Sequence, residues 1–133
     1  MILGFDPGRQ KCGLALVGVD RVLRYHQVVP ASAVMAEIRR LRLQFPIVMI
    51  VLGDQTGSAQ WQADLGQLRD PPRLALVDER YSSLEARDRY WQMYPPRGLA
   101  RWIPQALRPI SRPIDDIVAI LLIERYLNRL TQL

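Results

Sequence analysis

The fold is decided near the N-terminus by the sequence Ile-Leu-Gly-Phe-Asp-Pro-Gly at residues 2–8 and by the apolar run at residues 13–19. Pro7 and Gly8 lie in a short turn between two apolar runs, and this pattern predicts a hairpin of two β-strands. Both runs are almost continuously apolar, as in strands that are covered on both faces. Asp6 then ends a buried central strand. Because burial of an unpaired carboxylate costs on the order of several kcal/mol, we expect a cation beside Asp6.

Length and composition favour one domain spanning residues 1–133, because 133 residues with 49% hydrophobic content can enclose a single core. The longest apolar run, residues 117–123, is too short to cross a bilayer, and the first residues do not resemble a signal peptide. We therefore expect a cytoplasmic protein without a membrane partner. The single cysteine, Cys12, rules out an internal disulfide framework. The single histidine, His26, rules out a histidine-rich metal site and argues against a Ser-His-Asp triad.

The positive charge of the chain comes almost entirely from arginine. The formal net charge is +5, and Lys11 is the only lysine. Arginine binds phosphate oxygens in pairs and stacks on bases, which indicates a nucleic-acid partner. A genome-wide preference for arginine codons is the alternative explanation of the high ratio of arginine to lysine.

The rest of the hydrophobic pattern predicts an α/β fold. Further strands are expected at residues 22–29, 47–52 and 74–77, and helices at residues 32–44, 59–69, 83–93 and 113–130. Ser32 as an N-cap and the capping box at residues 82–85 mark two of the helix starts. Residues 95–113, rich in proline and arginine, predict an irregular loop with one helical turn. This order gives a five-stranded mixed sheet, three antiparallel strands followed by two parallel ones, with helices on both faces.

Acidic residues occur where strands end and helices begin, which is where sites form in open α/β sheets. Asp6 and Glu79 each follow a strand, and Asp115 and Asp116 begin the last helix. Carboxylates from three distant segments are plausible ligands for a hard divalent cation, Mg²⁺ or Mn²⁺. Two such ions could activate water and stabilise the leaving oxygen of a phosphodiester. The same residues also have ordinary structural explanations, namely an Asp-Pro-Gly turn for Asp6, an ion pair with Arg80 for Glu79 and a helix N-terminus for Asp115.

Three sequence motifs carry a family resemblance that spans nearly the whole chain. They are Phe-Asp-Pro-Gly with Gly-Leu-Ala at residues 5–15, Val-Asp-Glu-Arg-Tyr-Ser-Ser-Leu-Glu-Ala at residues 77–86, and Ile-Asp-Asp-Ile-Val-Ala-Ile-Leu-Leu-Ile at residues 114–123. Together they resemble the YqgF-type members of the ribonuclease H-like superfamily, which are relatives of the RuvC Holliday-junction resolvases. Members of this family are regarded as nucleases that process the precursor of 16S ribosomal RNA.

The resemblance implies a ribonuclease H-like fold with catalytic, metal-binding carboxylates at Asp6, Glu79 and Asp115. Helical spacing does not choose between Asp115 and Asp116, so the choice of Asp115 rests on the resemblance, and only Asp116 could supply the fourth carboxylate of RuvC relatives. The chain departs from the family at residues 53–56, where the usual Gly-x-Pro pattern is missing.

Basic and aromatic residues are interleaved in the second half of the chain, as in nucleic-acid grooves. The candidate nucleic-acid-binding residues are Lys11, Arg80, Arg87, Arg97 and Arg101. The alternative is that the neighbouring aromatic residues, Tyr90 and Trp91 among them, belong partly to the core and that the arginines form a solvated face.

The sequence therefore predicts a hydrolase, a metal-dependent endonuclease that acts on structured nucleic acid, with RNA favoured over DNA and the ribosome or its precursors as possible partners. It would act as a monomer or a homodimer. The alternatives are a Holliday-junction resolvase acting on branched DNA, and a non-catalytic RNA-binding or ribosome-binding module.

Overall fold

Apolar runs form strands and amphipathic segments form helices in the computed structural model, which describes residues 1–55 and 57–131. Within these residues lie five strands and four α-helices. The strands are β1 (Ile2–Asp6), β2 (Lys11–Val17), β3 (Leu23–Pro30), β4 (Met49–Gly53) and β5 (Arg73–Val77). The helices are α1 (Val34–Gln44), α2 (Ser58–Gly66), α3 (Ser82–Met93) and α4 (Asp115–Thr131).

The strands form one mixed sheet in the order β3-β2-β1-β4-β5. Strand β2 pairs antiparallel with β1 and β3, whereas β4 pairs parallel with β1, and β5 pairs parallel with β4. The predicted α/β architecture of three antiparallel strands followed by two parallel ones is therefore confirmed. Strand β1 is the central strand, so Asp6 ends the strand that has two neighbours on each side.

Helices cover both faces of the sheet. Alternate residues of β1 point to opposite faces, with Leu3 and Phe5 in the cluster that contains the buried residues of α1 and α2. Ile2 packs on the other face, against the buried residues of α4, and Val51 of β4 packs there beside Ala86 of α3. Successive side chains of a strand point to opposite faces, so a strand that is covered on both faces packs against the helices of both layers.

Two glycines let α4 lie directly on the middle of the sheet. A Cβ atom at Gly4 would overlap the carbonyl oxygen of Ala119, and one at Gly13 would overlap the backbone of Asp115. Gly13 is also the register partner of Asp6 across the hairpin. The first turn of α4 is thus brought to the end of β1, which positions Asp115 near Asp6.

Both predicted helix caps are wrong. Ser32 lies in a 3₁₀ turn at Ala31–Ala33, and Ala33 is the N-cap of α1 without a side-chain hydrogen bond. Ser82 is the first residue of α3 and not its cap, because the backbone turns tightly after β5 and the Ser82 amide donates to the Glu79 carbonyl. The N-cap is Tyr81, in a left-handed conformation with φ 63°.

Residues 95–113 form the irregular loop that the sequence predicts, but this loop contains two 3₁₀ turns, at Gly98–Trp102 and Gln105–Leu107, and not the single helical turn expected. Strand β4 begins two residues later than predicted, at Met49, and α2 ends three residues earlier, at Gly66. Among the described residues, no helix combines the length and the apolar character that a membrane crossing requires.

Candidate functional site

Three predicted carboxylates line one pocket of about 480 Å³ at the end of the central strand. Asp6 is the last residue of β1, Glu79 follows β5 by two residues, and Asp115 is the first residue of α4. The structure thus brings together side chains that lie more than thirty residues apart in sequence. The remaining lining residues are Pro7, Gln55, Tyr81, Ser82, Ser83, Leu84, Ile114 and Val118. We call this the acidic pocket.

Asp6 lies in an environment that disfavours its charge. Burial, followed by the negative charges of Glu79 and Asp115, raises the pKa of its carboxyl to about 8. The charges of Glu79 and Asp115 thus both act on the carboxyl of Asp6. Without a cation, Asp6 would hold a proton at neutral pH.

Glu79 is the most deeply buried of the three acids, with 5% of its surface exposed. Its Oε1 atom accepts no hydrogen bond from the described residues. The carboxylate lies against Gly53 at the end of β4, where any Cβ atom would overlap it. Burial, together with the negative charges of Asp54 and Asp78, raises the pKa of Glu79 to about 7. The positive charge of Arg125 lowers this pKa and so reduces the shift. A buried carboxylate oxygen without a donor requires a proton or a cation.

Asp116, the neighbour of Asp115, does not line the pocket and is engaged elsewhere. Its side chain is 3% exposed, and its Oδ2 atom lies 2.6 Å from Nδ1 of His26 on β3. Arg112 donates to Oδ1 at 3.2 Å, as does the backbone amide of Ile117 at 3.0 Å. This network fixes the start of α4 against β3. Asp115 is therefore the residue of the pair that lines the acidic pocket.

The donor set is chemically suited to a hard cation, because the described residues that line the acidic pocket offer carboxylate oxygens and no sulfur or imidazole. Within residues 1–55 and 57–131, no group of three or more acidic, histidine or cysteine side chains is arranged to hold a metal ion by itself. Magnesium keeps several of its waters and commonly uses only one or two protein carboxylates. The orphaned oxygen of Glu79 and the mutual repulsion at Asp6 fit such a partly hydrated ion.

The predicted nucleic-acid-binding residues do not all lie on one free surface. Lys11 is exposed at the start of β2. Arg80 is also exposed, and its Nε atom donates to Asp78 at 3.0 Å, so Asp78 and not Glu79 is its ion-pair partner. Arg87 is partly buried and donates to a backbone carbonyl. Arg97 and Arg101 are exposed on the loop of residues 95–113.

The aromatic residues of this region divide into packed and exposed members. Tyr90 and Trp91 are half-buried in edge-to-face contact, and Arg108 lies over the Trp91 ring. Trp102 is 77% exposed, with the guanidinium of Arg101 at 5.7 Å from its ring. The first two rings thus pack within the protein, whereas Trp102 is open to a ligand.

Sequence reasoning missed two arginines of α4 that reach across to β5. Arg125 donates to the Asp78 carbonyl at 2.6 Å and to Glu85 at 2.9 Å, and Arg129 donates to the Leu76 carbonyl at 3.4 Å. Their spacing of four residues, which puts both on one helix face, was the available signal.

The turn at residues 53–56, where the chain departs from the family pattern, includes Thr56, which lies outside the described residues.

A scan against protein-family models and a search of the curated proteins found no match to this chain.

Proposed function

We propose that this chain is a metal-dependent endonuclease of ribonuclease H-like type that hydrolyses phosphodiester bonds in structured nucleic acid. The convergence of Asp6, Glu79 and Asp115 on one pocket carries the proposal. The family resemblance of the three motifs that contain these residues points to the precursor of 16S ribosomal RNA as the substrate.

The side chains of the acidic pocket have separate roles in this proposal. Asp6, Glu79 and Asp115 would hold Mg²⁺ or Mn²⁺, which when bound supplies an activated water and stabilises the leaving oxygen. Gly53 leaves the space in which the Glu79 carboxylate lies, and the Asp116 network holds Asp115 at the pocket. Ile114 and Val118 add apolar side chains to the lining of the pocket.

The surface charge supports a polyanionic substrate. The chain carries a formal net charge of +5, Arg97 and Arg101 are exposed, and Arg101 lies over the open ring of Trp102. Cations would bind backbone phosphates, and an exposed indole offers a surface on which an unpaired base can stack.

Cleavage of structured RNA by the purified protein tests the proposal. Wild type with Mg²⁺ should cleave a precursor 16S ribosomal RNA fragment, and Asp6→Asn should lose about 100-fold or more in rate. Asp64→Asn on α2, which removes the same charge outside the acidic pocket, is the matched control and should retain activity. A four-way DNA junction is tested in parallel, and cleavage of this junction would indicate a resolvase. Equal cleavage by wild type and Asp6→Asn, or no cleavage with any divalent metal, would refute the proposal.

One observation favours a second candidate, a binding module without catalysis. No described group of side chains is already arranged to hold a metal ion. In that case RNA binding should survive EDTA and the Asp6→Asn substitution, while Arg101→Ala weakens it. Affinity measured with and without EDTA separates this candidate from the nuclease.

A further inference from the structure

A second pocket, of about 550 Å³, adjoins the acidic pocket on the side of strand β5. Its lining residues are Val77, Asp78, Arg80, Tyr81, Glu85, Arg125 and Arg129. We call it the arginine pocket. Tyr81 lines both pockets and therefore forms the boundary between them. Three acids line the pocket on one side of this tyrosine, and three arginines and two acids line the pocket on the other.

The charges of the arginine pocket leave an excess of one cation. Arg80 pairs with Asp78 at 3.0 Å, and Arg125 pairs with Glu85 at 2.9 Å. Arg129 contacts the Leu76 carbonyl and the Tyr126 ring, and no carboxylate among the described residues pairs with it. An anion entering this pocket would meet a guanidinium whose charge is not already neutralised by an ion pair.

The open edge of β5 holds the two arginines of α4 in place. Arg125 donates to the Asp78 carbonyl and Arg129 to the Leu76 carbonyl, two positions apart along the outer side of the sheet. A guanidinium has five N–H donors, so each arginine keeps donors for a ligand after this contact. Each guanidinium group is thereby oriented before any ligand binds, which reduces the conformational entropy lost on binding.

Tyr81 is an exposed aromatic residue held in an unfavourable backbone conformation. Its φ is 63°, a region that residues with a Cβ rarely adopt, and its side chain is 75% exposed. Burial does not explain the choice of tyrosine here, because three quarters of the residue faces solvent. Backbone strain of this kind is concentrated at ligand-binding sites. A ring at the boundary of an acidic and a basic pocket is placed to stack on a base.

We propose that the arginine pocket binds the backbone phosphate next to the scissile one, with Tyr81 stacking on the base between the two phosphates. This inference rests on the proposed nuclease function, since it takes the acidic pocket as the place of the scissile phosphate. A base can stack on Tyr81 only when it is unpaired. The substrate class is therefore a strand that is single-stranded at the cleavage position, such as a loop or a tail, and not continuous duplex.

Binding measurements separate this proposal from the nuclease proposal, because they do not require turnover. Fluorescence anisotropy is measured with a labelled single-stranded RNA and a duplex of equal length, in Mg²⁺ and on the Asp6→Asn background. Arg129→Ala should weaken single-strand binding about 5- to 10-fold and lower the salt slope by about 1. Arg129→Lys should restore the slope. Arg39→Ala on α1 removes the same charge from the opposite face and should change affinity less than about 2-fold.

Tyr81 gives an independent readout of stacking. Tyr81→Ala should weaken single-strand binding about 5-fold or more and leave duplex binding nearly unchanged, and Tyr81→Phe should keep the wild-type affinity. Thermal melts check that each variant is folded. The pocket assignment would be overturned if Arg129→Ala and Arg39→Ala weakened RNA binding equally. It would also be overturned if Tyr81→Ala lost the same affinity for single strand and duplex. Both conclusions hold even if the wild type cleaves RNA. The expected binding changes without any cleavage would support the pocket as a phosphate site and refute the nuclease.

Discussion

Replacing Asp6 by asparagine should stabilise the metal-free protein at alkaline pH, although the same substitution removes the proposed activity. The pKa of Asp6 is raised from 3.8 to about 8, first by burial and then by Glu79 and Asp115. Between these two pKa values the folded state binds a proton that the unfolded state has released. The free energy of unfolding therefore falls as pH rises from about 4 to about 8 and levels off above that range. Asparagine has no such charge to bury.

The size of the effect follows from the shift. A displacement of about 4 pKa units corresponds to about 6 kcal/mol, at about 1.4 kcal/mol for each unit. Asp6 is only partly buried, and its titration is coupled to that of Glu79, so about half of this value, about 3 kcal/mol, is the expected gain at pH 9. In a chain of 133 residues this raises Tm by about 10 °C.

Circular-dichroism melts in EDTA from pH 5 to pH 9 measure this gain. Wild type should lose stability as pH rises, Asp6→Asn should show a shallower decline because Glu79 still titrates, and the two curves should diverge up to pH 8. Asp64→Asn should follow the wild-type curve. Added Mg²⁺ should raise the Tm of wild type more than that of Asp6→Asn. Parallel curves for wild type and Asp6→Asn would refute the electrostatic account of the pocket.

Three further substitutions test the parts that surround the carboxylates. Gly53→Ala should displace the Glu79 carboxylate and lower cleavage at least about 10-fold, whereas Gly66→Ala, which meets no atom within 4 Å, should leave the rate unchanged. Tyr81→Gly should stabilise the fold by about 1 kcal/mol in urea titrations, because glycine adopts positive φ without strain, and a loss of stability would contradict this. Asp116→Asn should cost about 2 kcal/mol or more in the same titration, since it removes a buried carboxylate charge that Arg112 and His26 contact, and an unchanged midpoint would argue against the network.

The strands and their pairing could be predicted from the sequence because their apolar runs are long and their turns are marked. The continuous burial of the middle of β1 and of most of β4 follows directly from their being covered on both faces. The helix caps could not be predicted in the same way. Serine is a common cap, but the backbone turn after Glu79 puts Tyr81 at the cap position and Ser82 inside the helix.

The acidic pocket could be predicted in part. The motifs identify Asp6, Glu79 and Asp115 as candidates, but the distinction between Asp115 and Asp116 depends on His26, which lies ninety residues earlier in the chain. The arginine pocket depends likewise on a tertiary contact, the reach of α4 side chains to the edge of β5. Local sequence patterns do not contain such contacts.

A crystal of the protein soaked in Mn²⁺ and measured at the manganese absorption edge tests the central claim most directly. We expect an anomalous peak in the acidic pocket, with oxygens of at least two of Asp6, Glu79 and Asp115 coordinating the ion and waters completing its shell. An Asp6→Asn crystal treated identically should show a weaker peak or none. Absence of the peak from the wild-type pocket at saturating Mn²⁺, or a peak bound by other residues, would contradict the account.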